Sequence, residues 1–223
     1  MKEKKNDLEL MRQVARELRW DTRIGLAPVK VDVEYAVATL TGSVSSYAQK
    51  LAAQEAAHRV VGVLDVANDI EVKPRSNTAP MDTQIARAVR SALEWDALVP
   101  DEQIRSTVSN GWVTLEGDVD YWREREAAES TILRLNGVVG VLNEIAIRKR
   151  SVDPEELREQ IENALERRAD REAERFRVEI HDGKVDLHGR VHSWQEKRAV
   201  LGSVGHVPGV TEVADHLRID PYF

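Results

Sequence analysis

An internal repeat restricts this chain more than any other feature. Leu40-Thr41-Gly42-Ser43-Val44 returns as Leu115-Glu116-Gly117-Asp118-Val119 and again as Leu187-His188-Gly189-Arg190-Val191. Twenty residues beyond each of these glycines stands a Gly-Val pair: Gly62-Val63, Gly137-Val138 and Gly209-Val210. Val66, Val141 and Val213 follow in step, then Asn68, Asn143 and Asp215, then Ile70, Ile145 and Leu217. Upstream, Leu10, Val14 and Leu18 align with Ile85, Val89 and Leu93, and with Leu157, Ile161 and Leu165. The shifts are 75 and 72 residues with no gap inside a unit. A length of 223 residues would ordinarily suggest one or two domains. The fixed register makes it three small ones: 6–73, 81–148 and 153–220. Pro74 to Pro80 and Arg148 to Asp153 read as linkers, short enough to keep neighbouring units close.

Within a unit the periodicity reads helix, strand, strand, helix, strand. Apolar residues at i, i+4 and i+8 mark the first helix. Asp153, Pro154 and Glu156 supply its N-cap, N1 and N3 signals in the third copy. Asn110-Gly111 and Asp182-Gly183 predict tight hairpins, whose turns need positive φ. Tyr35-Ala36 stands in their place in the first unit, so a different turn is expected there. The second helix is expected to open near Ser46, Asp120 and Ser193, with a small, Ala-rich inner face such as Ala52, Ala53, Ala56 and Ala57. Gly62, Gly137 and Gly209 fall where that helix should end, as left-handed C-caps. The last strand alternates as Val-x-Asn/Asp-x-Ile/Leu-x-Val/Ile. The fold class is therefore α+β, three tandem αββαβ units.

Composition narrows the chemistry. With no cysteine, disulfide scaffolds, thiol nucleophiles and iron–sulfur clusters are excluded. A net charge of −7 argues against nucleic acid as partner. The charge grades along the chain, +1 over residues 1–75, −3 over 76–150 and −5 over 151–223. No apolar run reaches the ~18 residues of a membrane span or the ~7–15 of a secretory signal, so a cytoplasmic protein is expected. No phosphate loop, nucleophile elbow or triad order occurs, and no unit carries residues that break the repeat as an active site would. Neither enzymatic activity nor a cofactor is expected.

Leu-x-Gly-x-Val, the Gly-Val twenty positions on, and the closing Val-x-Asn-x-Ile-x-Val resemble the BON (bacterial OsmY and nodulation) domain family, over nearly the whole chain. That resemblance implies two helices on a three-stranded mixed sheet in each unit. It also implies a non-enzymatic role, of the kinds associated with the family: osmotic and envelope stress, anionic phospholipid binding, chaperoning, and potassium binding in members joined to a LysM domain.

Three groups of residues are candidates for function. Gly42, Gly117 and Gly189 either bend the backbone or lie against a ligand. Five positions on, Tyr47, Trp122 and Trp194 either anchor the second helix or share a ligand contact with the glycine loop. Trp20 and Trp95 form another aligned pair, fitting an inter-repeat contact or helix-end packing, with Arg167 at that place in unit three. Lys5, Arg12, Arg16, Arg19 and Arg23 fall along one face of the first helix, a cationic ridge that only unit one possesses. It is either a solvated face or an anionic-surface contact. His188 and His192 could share a strand face, but no metal-ligand spacing recurs, and no metal site is expected. The expected protein is an osmotic-stress-like binding protein of three modules acting multivalently. Its candidate partners are protein clients or an anionic phospholipid surface, the latter through Arg12, Arg16, Arg19 and Arg23. Cation sensing through backbone carbonyls is a further alternative, and homo-oligomerisation is compatible with the sequence.

Overall fold

A computed structural model describes residues 6–73, 81–148, 153–166 and 175–221. The first unit comprises α1 (Asp7–Trp20), β1 (Val29–Glu34), β2 (Val37–Val44), α2 (Tyr47–His58) and β3 (Asp65–Val72). The second runs α3 (Asp82–Trp95), β4 (Ile104–Ser109), β5 (Trp112–Val119), α4 (Trp122–Ile132) and β6 (Gly140–Ile147). The third runs α5 (Pro154–Glu166), β7 (Phe176–His181), β8 (Lys184–Val191), α6 (Trp194–Gly205) and β9 (Glu212–Ile219). Each sheet is mixed: its first two strands form an antiparallel hairpin, and its third joins the middle strand in parallel. The parallel pair explains the second helix, which is the crossover such a connection requires.

Alternation on the strands and the i, i+4, i+8 stripe on the first helix meet in one core per unit. In the first, Leu10, Val14 and Leu18 pack with Leu40, Ile70 and the alanines of α2. The second is built on Ile85, Val89, Leu93, Val113 and Ile132, and the third on Leu157, Ile161, Val185, Leu187 and Val204. The three cores are separate clusters. A unit near 70 residues buries only about 60% of its unfolded surface, so each core is small and contacts between units matter to stability.

The asparagine of the closing strand is a clamp. Asn68 donates to the Lys50 carbonyl at 3.1 Å and to the Gln54 side chain, tying β3 to α2. Asn143 repeats this with the Arg125 carbonyl and Glu129. In the third unit Asp215 cannot donate, and Lys197 reaches it at 2.7 Å while also donating to the Leu217 carbonyl. The polar position in an otherwise apolar pattern thus fixes how the crossover helix lies on its sheet.

Two expectations are corrected. Tyr35-Ala36 makes the same two-residue turn as its counterparts, with φ of 52° and 63° beside 51° and 77° at Asn110-Gly111. A carboxylate from the first helix compensates: Asp7 accepts the amides of Tyr35 and Ala36, each at 3.0 Å, as Asp82 accepts those of Asn110 and Gly111. The second helices end at His58, Ile132 and Gly205, so Gly62, Gly137 and Gly209 lie beyond them in the turns to the next strands. At the helix start, Ser46 and Ser193 are N-caps as expected, while the second unit uses Tyr121 in place of Asp120.

Candidate functional site

The second helices meet one another through residues that the repeat makes equivalent. Trp194, the first residue of α6, stacks on His58 at the end of α2, with centroids 4.0 Å apart and rings inclined by 14°. Its indole Nε1 donates to the Leu64 carbonyl at 3.2 Å, and one turn on Arg198 pairs with Glu55 at 3.3 Å. Lys197 lies over the Trp194 ring at 5.1 Å. Trp122, the first residue of α4, packs in turn on Gly205 at the end of α6, where an added Cβ would fall 3.1 Å from the indole Cδ1. His206 and Glu126 face each other beside it at 4.0 Å. Tyr47, opening α2, is half-buried, and that burial together with the nearby Glu129 carboxylate of α4 raises its pKa. His58, Leu133 and Gly205 are the same position of the repeat, as are Tyr47, Trp122 and Trp194. Unit three therefore docks on unit one and unit two on unit three, each by the start of one second helix against the end of another, while unit one faces unit two across Tyr47 and Glu129.

Burial governs the electrostatics of this joint. It drives the His58 pKa down to about 4, with Arg198 adding to the effect against Asp65 and Glu55, and the buried Nε2 has no hydrogen-bond partner. Burial also works on Glu55, but bonds to Arg23 at 2.7 Å and to Arg198 hold its carboxyl below the ordinary value. Asp21, bonded to Arg23 and Arg59, is held far below the carboxylate range, while Arg23 is pushed up.

Where α2, α4 and α6 converge lies a cavity of about 1030 Å³. Its walls carry Arg23, Ser46, Gln49 and Glu55 of unit one, Arg134 and Asn136 of unit two, and Arg198 of unit three.

The candidates read from sequence occupy several places. Gly42 and Gly117 adopt φ of 130° and 142°, and a Cβ there would fall 2.2 and 2.1 Å from the carbonyl oxygens of Pro28 and Gln103. Their backbone passes the entry to the neighbouring strand too closely for a side chain. At Gly189 the obstruction is the Phe176 ring and the Arg175 carbonyl. Tyr47, Trp122 and Trp194 stand at the unit contacts. Trp20 and Trp95 stand largely in solvent, 80% and 89% exposed. Arg167 and Lys5 lie outside the described residues. Arg12, Arg16 and Arg19 are exposed along α1. Arg23 leaves the ridge, because α1 ends at Trp20 and the following turn swings it toward Asp21 and Glu55. His188 and His192 do not come together; His188 stacks on His216 and His192 meets Glu196. Among the described residues, no three His, Asp or Glu side chains are placed to hold a metal, and no helix is long and apolar enough to cross a membrane.

Fold and joints together define a tandem-repeat protein of three αββαβ modules, tied through their crossover helices. The BON domain model matches residues 6–74, 81–149 and 153–221, and the chain belongs to the BON domain family. A curated relative is the osmotically-inducible protein Y of Escherichia coli strain K12, 29% identical over 121 residues. The match covers 52% of this chain and 60% of that protein. Two solved structures of CdsD, a structural protein of the type III secretion system of Chlamydia trachomatis, align over 95% and 97% of this chain and 92% and 100% of theirs. They are 12% and 13% identical, with TM-scores of 0.28 and 0.27, too low to bear on the arrangement described above.

Proposed function

We propose that this chain is a non-catalytic binding protein of the osmotic stress response, whose outer partner surface centres on Trp20 and Trp95. The observation that carries this reading is their recurrent exposure. These equivalent tryptophans, at the ends of α1 and α3, are 80% and 89% exposed, with Leu26 and Leu98 exposed beyond them. A folded protein rarely leaves large rings in water at matching positions, and tryptophan is enriched at binding hot spots. The name of the osmotically-inducible relative supports the stress assignment. Two modest sites on one chain combine through effective concentration, which suits unfolding clients or an extended surface. The test is suppression of the thermal aggregation of a model client at elevated osmolarity. The intact protein should suppress it and the Trp20→Ala/Trp95→Ala variant should not; equal suppression by both, or none by either, would remove the reading.

A second reading, contact with anionic phospholipid, is supported by the exposed Arg12, Arg16 and Arg19 on the same helix as Trp20. Basic residues draw a helix to an anionic surface by about 1 kcal/mol each, and an indole anchors it at the interface. It predicts flotation with phosphatidylglycerol but not phosphatidylcholine vesicles, weakened by salt. Flotation unaffected by Arg12→Gln, Arg16→Gln and Arg19→Gln together would eliminate it. The loops from Gly42 to Tyr47, Gly117 to Trp122 and Gly189 to Trp194 serve in both readings as joints between modules.

A further inference from the structure

The cavity at the convergence of α2, α4 and α6 differs in sign from the chain around it. The protein carries −7 overall, yet the charged side chains lining this cavity are three arginines and one glutamate. Each arginine comes from a different unit: Arg23, Arg134 and Arg198. Glu55 lies between two of them and is shared, 2.7 Å from Arg23 and 3.3 Å from Arg198. Asp21 takes a further bond from Arg23. Arg134 is exposed to the cavity and has no carboxylate partner among the described residues. The hydroxyls of Ser45 and Ser46 and the amide of Asn136 add neutral polar groups to the wall, and among the described residues no aromatic ring lines it.

We propose that this cavity binds a small, non-aromatic polyanion carrying clustered phosphate groups, one molecule per chain. A guanidinium presents a planar fork that matches phosphate oxygens, and several forks converging from separate directions select a ligand with more than one anionic centre. The absence of a ring to stack on disfavours a nucleobase among the candidates. A volume of about 1030 Å³ admits a ligand together with its bridging water. Because the three arginines belong to three units, the occupant touches every module at once. Its binding is then linked to the docked arrangement and raises the stability of that arrangement by mass action. This site is separate from the exposed tryptophans of the outer surface and stands or falls without them.

The experiment is calorimetric and thermal titration of the full chain with inorganic pyrophosphate, against sodium chloride at matched ionic strength. In parallel, vesicles containing phosphatidic acid separate a free phosphate ligand from a lipid headgroup. The expected result is saturable pyrophosphate binding at one site, with a Kd of about 1 mM or tighter, and a rise in thermal midpoint that chloride does not reproduce. Arg134→Gln should weaken it by about tenfold or more, the loss expected for a charge-assisted hydrogen bond. Arg198→Gln should do the same, with circular dichroism of both unliganded variants reporting that they fold. No saturable pyrophosphate binding, a stoichiometry of three, or unchanged affinity in Arg134→Gln would overturn the proposal. So would a response confined to vesicles, which would assign Arg134 to a membrane-facing surface instead.

Discussion

Replacing Trp194 with alanine tests the joint between the third and first units. The side chain lies between Lys197 of its own helix and the His58 ring at 4.0 Å, and its Nε1 donates to the Leu64 carbonyl. An aromatic stack contributes about 0.5–1.5 kcal/mol, and a net hydrogen bond about 1 kcal/mol. Docking of α6 on α2 should therefore lose about 2 kcal/mol. Neither core should change, because Val200 and Val204 of α6 and the alanines of α2 belong to separate clusters. The direct assay is NMR titration of the His58 imidazole. In the intact protein burial holds its pKa at about 4; in Trp194→Ala water reaches the ring and the pKa should rise toward the ordinary ~6.5. The pH dependence of docking follows. Between the ordinary His value and 4, the undocked state binds more protons than the docked one, so docking strengthens as pH rises and weakens as pH falls through that window. Phenylalanine at position 58 keeps a ring against Trp194 and should abolish the His-linked part of this dependence. A His58 pKa that stays near 4 in Trp194→Ala would refute the reasoning, since the ring's burial would then owe nothing to unit three.

Gly117→Ala should destabilise the second unit by about 3 kcal/mol or more, since it adds both left-handed strain and a Cβ 2.1 Å from the Gln103 carbonyl oxygen; urea unfolding followed by Trp fluorescence would show it. Ala36→Gly should stabilise the first unit by about 1 kcal/mol, because Ala36 sits at φ 63°; an unchanged or lowered midpoint would count against the turn assignment. Asp82→Ala leaves the amides of Asn110 and Gly111 without their acceptor. It should cost about 2 kcal/mol, with faster hydrogen exchange at those two amides as the local signature.

The fold was legible because each unit repeats its hydrophobic period at fixed offsets, so three weak signals reinforced one another. Leu10-Val14-Leu18 and its two counterparts all fall on buried faces. The first hairpin was not legible, since Tyr35-Ala36 lacks the residues that favour positive φ. What compensates is Asp7, 28 positions away from Tyr35, and no local pattern reports a long-range acceptor. Arg23 departs from the ridge because α1 stops at Trp20, and helical spacing holds only as far as the helix. Unit contacts were hardest. By sequence Trp20 and Trp95 fit either such a contact or helix-end packing, yet the aromatics present in all three copies make or adjoin the joints. That completeness was the available signal: a contact that recurs from unit to unit needs its residue in every unit, whereas Trp20 and Trp95 recur in only two.

The head-to-tail docking has a consequence for shortened versions of the chain. Each of the two packed joints pairs the start of one crossover helix with the end of another, two different surfaces, and such heterologous contacts are satisfied only when the series closes on itself. Three units bring the remaining pair, the start of α2 and the end of α4, to face each other within a single molecule. A pair of units would leave one indole uncovered at one end and one vacant helix terminus at the other, complementary in shape and free to find each other between molecules. Two-unit fragments should then associate into closed rings or open chains as their concentration rises, whereas three linked units consume their own adhesive surfaces.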